Sequence, residues 1–177
     1  MALNNEKSMD FNGMEVECAE ITATTGGTIP ALVATTATVS GAITSASVST
    51  TEGITSTGAT GAGVGYATGA GGAVTQITSR TTGVTLSKLS GKITTDTSSL
   101  AAEGTADFVV TNTTVALGDV VVVCIQSGSN SGGTIVSVST VTAGSFTIRV
   151  HNGNVAAGTA ETGAIIINFA VIKAVAA

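Results

Sequence analysis

The strongest constraint in this sequence is a stretch of 59 residues, from Ile21 to Ser79, with only one charged side chain, Glu52. Threonine, serine, alanine and glycine make up most of it. Side chains this small cannot fill a wide core, so an isolated domain built from them would be poorly packed. Three chains around a common axis could bury such small faces against one another. We therefore predict that residues 22–60 form a β stalk that holds three copies together.

Apolar residues recur along this stretch, and two segments resemble each other. VSGAITS at 39–45 is loosely repeated as VSTTEGITS at 48–56, and this pattern is typical of short strands separated by glycine-containing turns. A flexible Gly/Ser/Thr linker is the alternative interpretation, but a linker does not need spaced apolar residues. We assign the trimer contacts to Val33, Val39, Ile43, Val48 and Ile54.

The composition of the whole chain favours an all-β protein. Hydrophobic residues make up 43% and charged residues 10%, the reverse of a disordered chain. The chain has 32 threonines, with valine and isoleucine also frequent. These β-branched residues lose rotamer freedom in helices and fit pleated sheets. Outside the short N-terminal segment no apolar stripe has helical spacing.

Charge and hydropathy argue against two classes of partner. The net charge is −5 and the six lysines and arginines are scattered, whereas a nucleic-acid surface needs clustered cations. The apolar run AIIINFAVIKAVAA at 164–177 is interrupted by Asn168 and Lys173 and is too short to cross a bilayer. The charged start MALNNEKSMDFNGM does not resemble a signal peptide. We expect neither nucleic acid nor membrane as a partner.

Residues 74–177 are predicted to form a compact β-sandwich, jelly-roll-like in its turn spacing. Turn signals such as SGSNSGG and HNGN recur every eight to twelve residues, which is typical of two packed sheets. VVVVCI and AIIINFAVI are apolar on both faces, so we expect them to be central strands. Eight strands in two four-stranded sheets are predicted: 74–79, 83–88, 91–96, 106–112, 119–127, 133–141, 145–151 and 163–174.

The glycine-rich segment at 61–73 is predicted to be a hinge. A GxGxxG fingerprint read from Gly61 places Tyr66 at its last glycine, and one read from Gly63 places Thr68 there. No helix pattern follows that could offer its N-terminus to a phosphate. Glycine instead permits positive φ and close chain crossings.

The remaining polar residues give no catalytic pattern, and we expect no enzyme activity, cofactor or metal. His151 precedes Asn152 and Gly153 and is interpreted as a solvated histidine at a strand end. One histidine with two distant cysteines does not make a zinc site. Cys18 and Cys124 are expected to be buried or idle thiols, with a disulfide as the alternative. Calcium ligands or paired catalytic carboxylates would have to come from Asp96, Glu103, Asp107 and Asp119, which lack the spacing of a calcium loop.

The chain resembles a known family over residues 61–177. GYATGAGGAVTQ at 65–76, TSRTTGVTLSKLSGKIT at 78–94 and INFAVIKAVAA at 167–177 are similar to head decoration (cement) proteins of tailed bacteriophages and related capsid-surface or fibre proteins. The resemblance implies a homotrimeric β module on the capsid exterior, assembled in the host bacterial cytoplasm. Its partners would be itself and the phage major capsid protein.

The acidic first 21 residues are predicted to be a capsid-contacting arm. Phe11, Met14 and Val16 are the candidate anchors in this polar segment. Two other functions stay open. A short tail fibre or glycan-binding adhesin would share the stalk and sandwich, although it should carry more than 3% aromatic residues. A carbohydrate-active or metal-dependent enzyme on a jelly roll is the other.

Overall fold

The computed structural model of this chain describes residues 64–66, 69–155 and 157–174. The predicted arm at 1–21 and the predicted stalk at 22–60 lie outside them. The described residues are all-β and contain no helix. Their eight strands are β1 Ala73–Thr75, β2 Val84–Thr85, β3 Ser90–Thr94, β4 Thr105–Thr111, β5 Val120–Ser127, β6 Thr134–Thr142, β7 Ser145–Asn152 and β8 Ile166–Ile172.

The strands form two four-stranded sheets, as predicted. The first sheet has the order β1-β3-β8-β5, and the second sheet has the order β2-β4-β7-β6. In each sheet one edge pair is parallel, β1 with β3 and β2 with β4, while the other pairs are antiparallel. These parallel edges depart from the antiparallel jelly roll that the turn spacing indicated.

The core lies between the two sheets and follows from simple alternation along the strands. In β4, β7 and β8 every second residue is buried. The rings of Phe146 on β7 and Phe169 on β8 meet across the core, with centroids 5.3 Å apart and planes tilted by 57°. Fully burying such a side chain stabilises the fold by about 1.5–3 kcal/mol.

The position of β5 differs from the prediction. It lies at the edge of the first sheet and pairs only with β8, whereas its apolar sequence indicated a central strand. Val121 points into the core, but its neighbours Val120 and Val122 point outward and are exposed. Apolar residues on both faces therefore reflect a core on one side and an uncovered outer face on the other.

The sandwich has two ends, which we call the near end and the far end. At the near end the N-terminal described residues meet the end of β8, and the Lys88 ammonium donates to the Gly69 carbonyl at 3.0 Å. Part of the predicted hinge lies along β3 there, since the amides of Ser90 and Lys92 donate to the carbonyls of Ala70 and Gly72. The far end contains the loops at 76–82, 95–104, 128–133 and 157–165.

Candidate functional site

The residues predicted to contact a capsid or other copies cannot be placed. They lie outside the described residues and stay predictions: Phe11, Met14 and Val16 for the capsid, and Val33, Val39, Ile43, Val48 and Ile54 for the trimer. The site described here is a surface that the sequence did not single out.

One outer surface of the sandwich is apolar. We call it the apolar face and define it by Val64, Tyr66, Val120, Val122, Cys124, Ala170 and Ile172. It is formed by the outward side chains of β5 and β8 together with the segment 64–66. The pairing of β5 with β8 places Val120 opposite Ile172 and Val122 opposite Ala170, so the side chains of each pair are neighbours.

Tyr66 anchors the segment 64–66 on this face. Its hydroxyl donates a hydrogen bond to the backbone carbonyl of Val171 on β8. A surface cavity of about 430 Å³ lies beside the ring. Its lining is formed by Val64, Gly65, Tyr66, Ala170 and Ile172. The face is therefore concave where the chain reaches the sandwich, and its lining has no charged side chain.

The charges near the apolar face lie at its margins. Lys92 on β3 is exposed and sits opposite Asn168, on the side of β8 away from β5. At the near end the Lys173 ammonium pairs with the buried carboxylate of Asp119. The hydrogen bond from Lys173, followed by one from the Ala116 amide, lowers the pKa of Asp119. A polar margin around an apolar centre is the arrangement found in protein interfaces.

The outer surface of the second sheet is mostly polar, although Val109 and Ile135 are exposed on it. Asp107 on β4 lies opposite Arg149 on β7, and their side chains form a bidentate ion pair with distances of 2.9 and 2.8 Å. The hydrogen bonds from Arg149 lower the pKa of Asp107. The neighbours of the ion pair on this face include Thr105, Thr147 and Ser137, and also the exposed Val109. One sheet therefore has a mostly polar exterior with an ion pair, and the other has an apolar exterior.

A buried carboxylate organises the far end. Glu161 is buried and accepts hydrogen bonds from the hydroxyls of Ser129 at 2.6 Å and Thr134 at 2.7 Å. The amides of Gly163 at 2.8 Å and Asn130 at 3.2 Å also donate to it. Burial acts to raise the pKa of Glu161, but these hydrogen bonds outweigh burial and lower it to about 2.

Arg80 is buried next to this carboxylate and binds backbone rather than the carboxyl group itself. Its guanidinium donates to the carbonyls of Ser98, Glu161 and Gly163 and to the hydroxyl of Thr95. Within the described part of the chain every buried side-chain nitrogen and oxygen has a hydrogen-bond partner. Arg80 and Glu161 thus join the far-end loops to one another.

The residues considered for chemistry do not converge in the structure. His151, half-buried near the end of β7, has Nδ1 3.1 Å from the hydroxyl of Thr105 and 3.2 Å from the carbonyl of Gly104. Asp96 accepts from the Ser98 amide, and Asp107 and Asp119 pair with cations. Among the described residues no three His, Cys, Asp or Glu side chains cluster as a metal site.

Two further findings concern the thiol of Cys124 and the search for membrane-spanning helices. Cys124 is exposed and its thiol is free, so of the two expected alternatives, a buried or an idle thiol, burial is wrong for this residue. None of the described segments forms a helix of the length and hydropathy needed to span a bilayer.

Comparisons with protein-family models, with curated proteins and with solved structures found no match. The assignment of function depends on the surfaces described above and on the motifs in the sequence.

The sequence contained a signal for the apolar face but gave none for the burial of Arg80 and Glu161. VVVVCI was seen to be apolar on both sides, and this pattern fits an edge strand with an uncovered face as well as it fits a central strand. Glu161 lies in the segment AETGA, which has the composition of an ordinary turn. Its hydrogen-bond partners include Ser129 and Thr134, which are more than 25 residues away in the chain.

Proposed function

We propose that this chain is a homotrimeric capsid decoration (cement) protein of a tailed bacteriophage. It binds the outside of the head, contacts the major capsid protein through its N-terminal arm and stabilises the shell by bridging neighbouring capsomers. It acts mechanically and not as an enzyme. The apolar face, which includes Val64, the first described residue, is the observation that carries this proposal.

A solvated monomer rarely leaves so many apolar side chains on one face of a sheet. Exposed apolar patches with polar margins mark sites of association. Here the two outer faces of one domain differ. One carries an ion pair with Val109 and Ile135 exposed near it, and the other carries adjacent valine, isoleucine and tyrosine side chains with no charge among them. This difference supports a protein whose work is to bind other protein surfaces.

Trimeric binding explains how short arms could hold a shell. An arm that binds alone with a Kd of about 1 mM contributes roughly 4 kcal/mol. Linking three arms converts the second and third contacts into intramolecular events at high effective concentration. Dissociation then requires all three contacts to open together.

The test is to add the purified protein to phage heads that lack it and to count the bound copies by quantitative mass spectrometry. Hundreds of copies per head, and greater resistance of the filled head to heat, are expected. A handful of copies per particle would indicate a tail fibre or adhesin instead. A chain that lacks residues 2–20 should remain folded but lose binding to the heads.

A further inference from the structure

No described residue packs over the apolar face. Its composition, and the fact that the described chain begins on it at Val64, indicate what packs there. We infer that the apolar face is a contact between copies of this chain, with the faces of three copies turned toward a common three-fold axis. This inference rests on the proposed trimer and adds the surface through which the sandwich domains meet.

The first argument is the place where the preceding chain arrives. Val64 is 78% exposed and lies on the apolar face next to Ile172. The last predicted trimer contact, Ile54, precedes it by ten residues, which span at most about 35 Å when fully extended. Three copies joined at Ile54, as the sequence predicts, would have their apolar faces within reach of one another.

The second argument is the character of strand β5. It is an edge strand that pairs only with β8, and it carries no charge or proline from Val120 to Ser127. Proteins normally protect an exposed edge with charges, proline or a bulge, because bare edges associate through their unpaired backbone groups, and this unprotected edge borders the apolar face. The bulge of β5 falls between Ile125 and Ser127, at its far end, and leaves the apolar part regular.

The third argument is charge. A contact between identical surfaces brings like charges together, so it must have few of them at its centre. The outward residues at the centre of this face are Val120, Val122, Cys124, Ala170 and Ile172, and none is charged. The other outer surface has the Asp107–Arg149 pair at its centre and would not be covered by apolar contacts.

The face contains two natural probes. Tyr66 is the only tyrosine and the chain has no tryptophan, so fluorescence excited in the near ultraviolet reports on this face. Cys124 is exposed in the single chain, and a Cys18→Ser substitution makes it the only thiol. Maleimide labelling of Cys124 and acrylamide quenching of Tyr66 then measure how far the face is covered.

The experiment compares the full-length Cys18→Ser chain with two variants, each followed by analytical ultracentrifugation. Val122→Glu places a charge on the apolar face, and Val109→Glu places the same charge on the opposite outer face. The two valines are 50% and 47% exposed, so the substitutions are matched. Circular dichroism checks that both variants fold.

In the parent trimer we expect Cys124 to be labelled about tenfold more slowly than in the unfolded chain, because a covered thiol is poorly accessible. Val122→Glu should restore rapid labelling and raise acrylamide quenching of Tyr66, while Val109→Glu should do neither. The labelling rate of Cys124 in the parent should rise when the protein is diluted, because dilution dissociates the trimer.

The opposing outcomes are distinct. A trimer whose Cys124 reacts as fast as in Val122→Glu overturns this inference and leaves the trimer intact. A monomer with reactive Cys124 overturns the inference and the proposed trimer together. A monomer with protected Cys124 shows that residues of the same chain cover the face, and protection only on phage heads shows that the capsid does. Either result overturns the contact between copies.

Discussion

Gly128 and Gly163 approach each other so closely that neither position has space for a side chain. A Cβ on Gly163 would overlap the carbonyl oxygen of Gly128, and a Cβ on Gly128 would overlap that of Ala164. Gly128 also has a positive φ of 89°. This contact of backbone with backbone fixes the loop after β5 against the loop before β8, where Glu161 is held.

Gly128→Ala should therefore destabilise the domain more than an alanine at Gly132. Gly132 has a φ of 75° but nothing within 4 Å of its Cβ position, so it measures the backbone cost alone. We expect a loss of about 1 kcal/mol for Gly132→Ala and on the order of 3 kcal/mol for Gly128→Ala. Urea unfolding at pH 7 gives both values, and equal losses would contradict the close approach.

Glu161 should make stability fall in acid. Its pKa of about 2 in the folded chain lies below the ordinary value of 4.5, so its contribution is complete above pH 4.5 and is lost as the pH falls through about 2. The difference corresponds to about 3 kcal/mol. Asp96, Asp107 and Asp119 also have lowered pKa values, so the parent curve contains their contributions as well.

The contribution of Glu161 is isolated by subtraction. Glu161→Gln retains the shape of the side chain but replaces the carboxylate, which accepts from hydroxyl and amide donors, with an amide. The variant should therefore be less stable than the parent at pH 7. The difference in unfolding free energy between parent and variant should narrow between pH 4.5 and pH 2. A difference that stays constant over this range would show that the carboxylate is not held in its charged form.

The two arginines give a matched comparison of buried and exposed cations. Arg80→Lys retains the charge but loses the planar guanidinium that reaches the carbonyls of Ser98, Glu161 and Gly163, and a loss of roughly 2 kcal/mol is expected. Arg149→Lys should change stability little, because its partner Asp107 lies on the solvated face. Thermal unfolding of both variants measures the two losses of stability. Similar losses would contradict a structural role specific to Arg80.

The strands could be predicted from the sequence because alternation is a local property. SFTIRVH shows this pattern clearly, and Phe146, Ile148 and Val150 are all buried. The first predicted strand is shorter than expected, since the side chain of Gln76 donates to the carbonyls of Arg80 and Thr82 and closes a turn.

The order of the strands could not be predicted in the same way. Pairing depends on contacts between distant residues, such as Ile93 with Ile167, and many registers satisfy the same alternation. For that reason the edge position of β5 and the parallel edges appear only in the structure. The sequence signal for the apolar face was ambiguous for the same reason, because an outward valine and an inward valine are identical in sequence.

Val121 and Val122 should separate folding from association. Val121 is 9% exposed and packs in the core, so Val121→Ala should lower stability by about 2 kcal/mol at every protein concentration. Val122 points away from the core, so Val122→Ala should leave the dissociated chain as stable as the parent. In an assembly held through the apolar face, stability rises with protomer concentration, and Val122→Ala should reduce that rise. Chemical unfolding at two protein concentrations measures both effects, and a large loss for Val122→Ala at the lower concentration would place its side chain within the fold of a single domain.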